Sequence, residues 1–406
     1  MALNHARLPV PPSGLNKCDY TGGSVGVNPL SVNLPYSADE PLRILSSRVK
    51  GVHFDQNGCP SKGFIMRIVV DALGTDKRPV PDVEGAVLAS RMISGQIILV
   101  GNETAITNEL KKYSPLPSNI EVIASSEEIA MSDKPSVVGK SKPNSSIHTG
   151  LNLVKEGKAD AFVSMGNTGA VHAIAMLFSL GRIRNVKRPA LSVIFKLSDQ
   201  PIIFVDIGAN ADCKPDWLQQ FAIMGDVYAR NAVGIDNPKI ALLSNGEEEG
   251  KGNELIREAA ALLQQTNLNF IGNVEPNDIF RGRANVVVSD GFAGNILIKT
   301  FEATGSYLSG LIREEIMRQP LTTIGGALVR PAMSRVRQRV DPFEVGGAPL
   351  LGVKGVVIIG HGGSNATAVK NAILQAEKAV NGRIVSAIEE RINQPSTTEN
   401  KSGELG

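Results

Sequence analysis

Apolar, strand-like runs that end in a tight Gly/Asn/Asp cluster and then give way to a helical pattern recur five times along this chain. The clusters are Gly166-Asn167-Thr168-Gly169, Asp206-Ile207-Gly208-Ala209-Asn210, Asn245-Gly246-Glu247-Glu248, Asp290-Gly291-Phe292-Ala293-Gly294-Asn295 and His361-Gly362-Gly363-Ser364-Asn365. Strand, polar turn and helix in repetition imply a doubly wound α/β fold with a mostly parallel sheet. In such a sheet the carboxyl ends of the strands line a crevice. Glycine there lets backbone N–H groups approach a ligand, and the following helix N-terminus favours an anion. The expectation is that all five turns converge on one edge and form one anion-binding, catalytic cleft.

A length of 406 residues gives room for two or three lobes and a substantial core. Lys+Arg 42 against Asp+Glu 40, with 4% aromatic residues, provides neither the basic field nor the stacking platforms of a nucleic-acid binder. Cys18, Cys59 and Cys213 match neither a disulfide framework nor a zinc spacing, so a reducing, cytoplasmic setting is expected. No run approaches the roughly 18 apolar residues of a spanning helix, and no secretory signal opens the chain. A soluble protein that touches a membrane surface remains compatible with this.

Residues 1–65 are rich in Pro, Gly and Ser without sustained periodicity and read as a disordered extension. At Met66 the texture changes to Met66-Arg67-Ile68-Val69-Val70-Asp71, a strong first strand, which makes Met66 the expected physiological start. Buried-type strands are expected over 96–100, 161–164, 202–206, 240–243, 285–289 and 356–359. The pair 190–195 and 202–205 reads as a hairpin marking a second lobe. The domain is expected to span 66–392, followed by a disordered polar tail over 393–406.

Residues 306–340 break the pattern. Arg313, Arg318, Arg330, Arg335, Arg337 and Arg339 alternate with Leu321, Ile324, Leu328 and Val336, while Gly325-Gly326 and Pro331 are expected to interrupt the helix. Such a basic, apolar hairpin reads either as an element lying on anionic lipid or as a dimer-interface or solvated helix.

Within the clusters, Asp206 and Asp290 end apolar runs, where they either orient a neighbouring donor or cap the next turn. Lys140, Lys142, Ser145 and Ser146 bring charge and hydroxyls to a helix start, a phosphate-site pattern also common on surfaces. His361 sits at a strand end beside two glycines and is either a proton carrier or a hydrogen-bonded structural group. Cys213 reads as structural, with no histidine near it in sequence. Walker, GxGxxG, HExxH and GxSxG motifs are absent from the sequence.

The stretch 205–215 continuing to Phe221-Ala222-Ile223-Met224-Gly225 resembles the bacterial phosphate acyltransferases of phospholipid synthesis. So do Ser164-Met165-Gly166-Asn167-Thr168-Gly169-Ala170, Gly246-Glu247-Glu248-Glu249-Gly250-Lys251-Gly252, Gly272-Asn273-Val274-Glu275, Ser289-Asp290-Gly291-Phe292-Ala293-Gly294-Asn295 and His361-Gly362. The match runs in order from about Met66 to Ile392. The resemblance implies a two-lobed fold shared with phosphotransacetylases and isocitrate- and isopropylmalate-type dehydrogenases. It implies transfer of a long acyl group from acyl carrier protein to inorganic phosphate, without metal or cofactor. It further implies a homodimer in the cytoplasm, working at the inner membrane surface beside a glycerol-3-phosphate acyltransferase, with Leu321, Ile324 and Leu328 touching lipid.

Carried onto this cleft, the resemblance gives Gly166, Asn167, Thr168, Gly169, Ser145, Ser146, Gly291, Gly294 and Asn295 to phosphate and oxyanion. Lys140 and Lys142 then supply positive charge, His361 the proton for the departing thiolate, and Asp206, Asn210 and Asp290 the ordering of these groups. Two stretches depart from the family pattern. Leu73-Gly74-Thr75-Asp76 stands where Met-Gly-Gly-Asp is usual, and Lys142-Pro143-Asn144-Ser145-Ser146 where Lys-Lys-Asp-Ser-Ser is usual. Both are expected to thin the anion site.

Overall fold

Short Val/Ile/Leu runs between the turn clusters pair into one eleven-stranded sheet. The strands are β1 (Arg67–Asp71), β2 (Gln96–Gly101), β3 (Ile120–Ala124), β4 (Ala161–Ser164), β5 (Ala190–Phe195), β6 (Ile202–Val205), β7 (Ile240–Leu243), β8 (Phe270–Val274), β9 (Val286–Val288), β10 (Ala348–Leu351) and β11 (Val356–Ile359). The computed structural model describes residues 65–195, 200–340 and 346–394, without the side chains of 337–340. The expected disordered stretches before residue 65 and after residue 394 lie outside the described residues.

Strand order is β3-β2-β1-β4-β11-β10-β5-β6-β9-β7-β8. The first five strands are mutually parallel, and so are the last four. Between these sets, β11–β10, β10–β5 and β5–β6 all pair antiparallel. Three reversals leave the two parallel sets running in opposite directions. The doubly wound α/β reading therefore holds, but convergence of the five turns does not. The turns after β4 and β11 leave one edge of the sheet, and those after β6, β7 and β9 leave the other.

Alternate strand residues separate onto two buried faces, as a period of two requires. Ile68, Val70, Ile97, Leu99, Val163 and Ile358 join Val83 and Ala86 of the helix Val80–Ser90 and Val369 and Ala372 of the helix Ala366–Asn381. Val69, Ile98, Phe162 and Val357 join Ile147 and Leu151 of the helix Ser146–Lys155 and Val171 and Ile174 of the helix Thr168–Leu177. Phe162 is fully buried there, and its truncation to Ala would cost about 3–5 kcal/mol.

The basic apolar region forms two long helices, Gly291–Met317 and Pro320–Val340. The break falls between them, not at Gly325-Gly326 or Pro331, which lie inside the second helix. Thr322 and Thr323 turn the corner by donating their hydroxyls to the carbonyls of Ile316 and Gln319. Gly326 faces Ile316 at a separation that leaves no room for a Cβ, so this glycine lets the two helices approach.

Candidate active site

At the first edge, three turns interlock. The β1 turn brings Gly74 against the Met165–Gly166 peptide, where a Cβ would lie 2.7 Å from the Met165 nitrogen. Gly360 donates to the Ser164 carbonyl across 2.8 Å, and Asp76 donates to the Gly362 carbonyl across 2.8 Å. Asp71, 2% exposed, organises this block. Its Oδ2 accepts from the Ser164 hydroxyl at 2.7 Å and its Oδ1 from the Leu73 N–H at 3.0 Å, and Ser146 also hydrogen-bonds it. Burial raises its carboxyl above the usual range, against these donors and the Arg78 charge.

Ser164 Oγ in turn accepts the Gly166 N–H, so that glycine offers no free donor to a ligand. Asn167 is likewise fully engaged. Its Oδ1 caps the helix Thr168–Leu177 by accepting from Ala170, and its Nδ2 donates to the carbonyls of Ala130, Met131 and Asp133. What stays open is the helix start itself, exposed Thr168 and half-buried Gly169, whose N–H groups have no intrahelical acceptor. Met131 links this start to the β11 turn, because its side chain lies beside Gly362 while its carbonyl accepts from Asn167.

The basic approach is less open than its sequence implied. Lys142 Nζ is held by Asp133 Oδ2 at 2.6 Å and the Glu128 carbonyl at 2.8 Å, and this ammonium keeps the Asp133 carboxyl below its usual range. Lys142 thus latches the loop over 128–133. Lys140 is exposed. Ser145 caps the helix Ser146–Lys155 and bonds His148 Nδ1 at 2.9 Å, while Ser146 faces Asp71. His361 is exposed, and its Nδ1 accepts from the Gly363 N–H at 3.2 Å. A neutral imidazole so bonded carries its proton on Nε2, facing away from the turn.

At the second edge, Asp206 is fully buried. Its carboxylate accepts the N–H groups of Leu191, Gly208, Ala209 and Asn210 and the Asn210 side-chain amide, at 2.7–3.1 Å. Burial nevertheless pushes its pKa upward. Asp290 caps the helix Gly291–Met317 by accepting from Ala293. The N–H of Gly291 bonds the Asn210 carbonyl at 2.7 Å and that of Gly294 bonds the Asp290 carbonyl, so neither cradles an oxyanion here. These glycines serve close packing on the Asp206 turn. Asn295 is exposed beside Gly208. Cys213 is half-buried, and burial together with the Asp206 charge pushes its thiol up to about 12, far from a nucleophilic thiolate.

Two features escaped the sequence reading. Asp71 ends a strand just as Asp206 does, and that parallel is the signal that marks it. His172, on the helix from the first edge, responds to the second. Burial lowers its pKa and the Asp206 carboxylate opposes that, while Arg188 reinforces it. The helix Thr168–Leu177 therefore passes close enough to the second edge for His172 to feel the Asp206 charge.

The fold of this chain is shared with known phosphotransacetylases. The chain superimposes on a phosphotransacetylase from Streptococcus pyogenes with a TM-score of 0.52 at 18% identity, covering 78% of this chain and 94% of that one. One from Staphylococcus aureus gives a TM-score of 0.50 at 19% identity, again over 78% and 94%. At this identity the likeness is one of fold alone. Sequence goes further. Residues 66–386 match the family described as fatty acid synthesis protein. A phosphate acyltransferase from Halothermothrix orenii is 46% identical over 332 residues, 81% of this chain and 99% of that protein. One from Dictyoglomus turgidum is 47% identical over 331 residues, 81% and 98%. The chain belongs to the phosphate acyltransferase family and is a transferase.

Proposed function

We propose that this enzyme transfers a long fatty acyl group from the thioester of acyl carrier protein to inorganic phosphate. A phosphate oxygen attacks the thioester carbonyl, the C–S bond breaks as the C–O bond forms, and the carrier thiolate takes up a proton. Phosphate is already a nucleophile, so the protein's task is to place it and stabilise the oxyanion. The observation that carries this reading is the interlocked first edge, where Met131 joins the Asn167 cap of the helix that opens at Thr168 and Gly169 to the His361 turn. Thr168, Gly169 and exposed Lys140 receive the anion, and the Nε2 proton of His361 goes to the thiolate. Asp71, Ser164 and Asn167 hold that edge rigid, while Asp206, Asn210 and Asp290 order the turns of the opposite edge.

The product has a long apolar tail, which favours work at a lipid surface. Among the described residues no helix is long and apolar enough to cross a membrane. The hairpin Gly291–Met317 and Pro320–Val340 instead exposes Leu321 at 78%, Ile324 at 64% and Leu328 at 79%, beside Arg330 and Arg335. That supports peripheral contact with an anionic cytoplasmic membrane face, where a homodimer would hand acyl phosphate to a membrane-bound glycerol-3-phosphate acyltransferase.

Phosphate-dependent thiol release from palmitoyl-acyl carrier protein, compared with acetyl-coenzyme A, tests the substrate, and hydroxylamine trapping of acyl phosphate tests the product. Faster turnover of acetyl-coenzyme A would replace this reading with a short-chain transacylase.

A further inference from the structure

The loop leading into β5 carries Arg182, Arg184, Lys187 and Arg188, all exposed. Lys187 pairs with Asp216, the one ion pair these four cations make among the described residues. Arg182 donates to the Lys187 carbonyl, which folds the loop into a fixed shape, and the Arg188 guanidinium lies 4.8 Å from the centre of the Trp217 ring. Arg182, Lys187, Arg188 and Trp217 line a groove with Met176 and Leu177, and Leu177 is 65% exposed. A neighbouring concavity extends the basic lining through Arg184.

This surface is wired to both halves of the site. Pro189, next to Arg188, accepts the Asn210 side-chain amide at 2.8 Å, and Leu191 donates to Asp206 at 3.0 Å. Met176 and Leu177 close the same helix that opens at Thr168 and Gly169. Four cations spread over two concavities are too broad for one phosphate ion. Open concavities lined by these cations, with exposed Leu177 among them, offer charge complementarity and an apolar contact to an acidic protein surface.

We propose that the 182–188 groove is the docking surface for an acidic face of the acyl carrier protein, steering the thioester toward the helix that opens at Thr168 and Gly169. The proposal rests on the carrier-dependent reading above. Steering by rim charges acts on encounter and is screened by salt, so it enters KM rather than kcat.

The test compares wild type with Arg184→Glu and Arg182→Glu/Arg184→Glu, using palmitoyl-acyl carrier protein and S-palmitoyl-pantetheine at low and high salt. Thermal melting first establishes that each variant is folded, and Arg184→Glu, whose arginine makes no side-chain hydrogen bond among the described residues, stands in if the double variant is not. The expected result is a KM for the carrier substrate raised about tenfold at low salt, with kcat and the pantetheine kinetics within about twofold of wild type. Wild-type KM for the carrier should rise with salt, and the variants should lose that dependence. An unchanged carrier KM, or equal losses on both substrates, overturns the docking assignment while leaving the reaction intact. Loss of sedimentation with anionic vesicles at unchanged carrier KM also overturns it, in favour of a lipid contact. A wild type that acylates phosphate only from the pantetheine substrate removes the carrier reading itself, and the docking surface with it.

Discussion

Thr75 donates its hydroxyl to Asp82 Oδ2 across 2.6 Å in a site where both residues are fully buried. Thr75 stands where the resembling family usually has Gly, and the sequence led us to expect a thinner anion site. The side chain turns inward to partner a carboxyl on the helix Val80–Ser90. Burial, reinforced by the Asp71 charge, pushes the Asp82 carboxyl up to about 8 against the hydroxyl's donation. Below the ordinary 3.8 both folded and unfolded chains are protonated there. Between that value and about 8 the unfolded chain ionises and the folded one does not, so stability falls as pH rises through this window. Asp82→Asn removes the titration. The variant should gain several kcal/mol over wild type at pH 8, and the gap should close toward pH 4 in urea melts. A gap independent of pH would show that Asp82 is not the titrating group.

Gly294 and Gly305 lie on one helix but in opposite surroundings. A Cβ on Gly294 would collide with the Asp206 carbonyl and lie 2.7 Å from Ser289 Oγ, whereas around Gly305 there is open space. Gly294→Ala should destabilise by about 1–3 kcal/mol through overpacking. Gly305→Ala should stabilise by about 0.5–1 kcal/mol through helix propensity. Denaturant titration of the two variants should give opposite signs, and a matching sign would mean that Gly294 is not in contact with the Asp206 turn.

Strand, turn and helix alternation was legible because it is written in local apolar runs and in Asn and Asp residues that cap the helix they precede, as Asn167, Asp290 and Asn365 do. The reversal between the two parallel sets was not. It depends on β10 inserting between β11 and β5, a pairing of Leu350 with Leu191 that no local pattern encodes. The candidate donors were misjudged for a related reason. Sequence shows that glycine is present, but not that the N–H groups of Gly166, Gly291 and Gly294 already have acceptors. Nor does it show that Lys142 has Asp133 as a partner, nine residues away.

Ser164 is the hinge of the first edge, since it donates to Asp71 and accepts from Gly166 at once. Ser164→Ala leaves a buried carboxylate oxygen and a buried N–H without that partner. The expected cost is about 1–3 kcal/mol in stability. Because the Gly166 turn positions Thr168 and Gly169, KM for phosphate should rise as well, measured by thiol release at saturating thioester. A stability loss with unchanged phosphate KM would separate this turn from the anion site.

The Nδ1 of exposed His361 is engaged by the Gly363 N–H, which leaves Nε2 outside that bond. If the Nε2 proton goes to the leaving thiolate, His361→Gln should lower kcat about 100-fold with the carrier thioester. The defect should shrink to a few-fold with a palmitoyl thioester of an acidic aromatic thiol, whose thiolate needs no proton to leave. An equal loss on both substrates would make His361 a structural residue of its turn.

Leu321, Ile324 and Leu328 recur at helical spacing on Pro320–Val340, so all three fall on neighbouring positions of one face. Each leaves most of its side chain in water, a combined exposure that a solvated helix would not retain without a partner surface. Inserting one such side chain into lipid contributes about 1.5–3 kcal/mol. Replacing all three by Ser should therefore abolish sedimentation with anionic vesicles, while thiol release in detergent-free buffer stays within about twofold because all three side chains are exposed and absent from the cores. Arg330→Glu/Arg335→Glu should weaken sedimentation with anionic vesicles and leave neutral ones unaffected, since only the charge term is removed. If the Ser variant instead sediments normally but changes its oligomeric state in size-exclusion chromatography, the exposed face is an interface between copies of this chain.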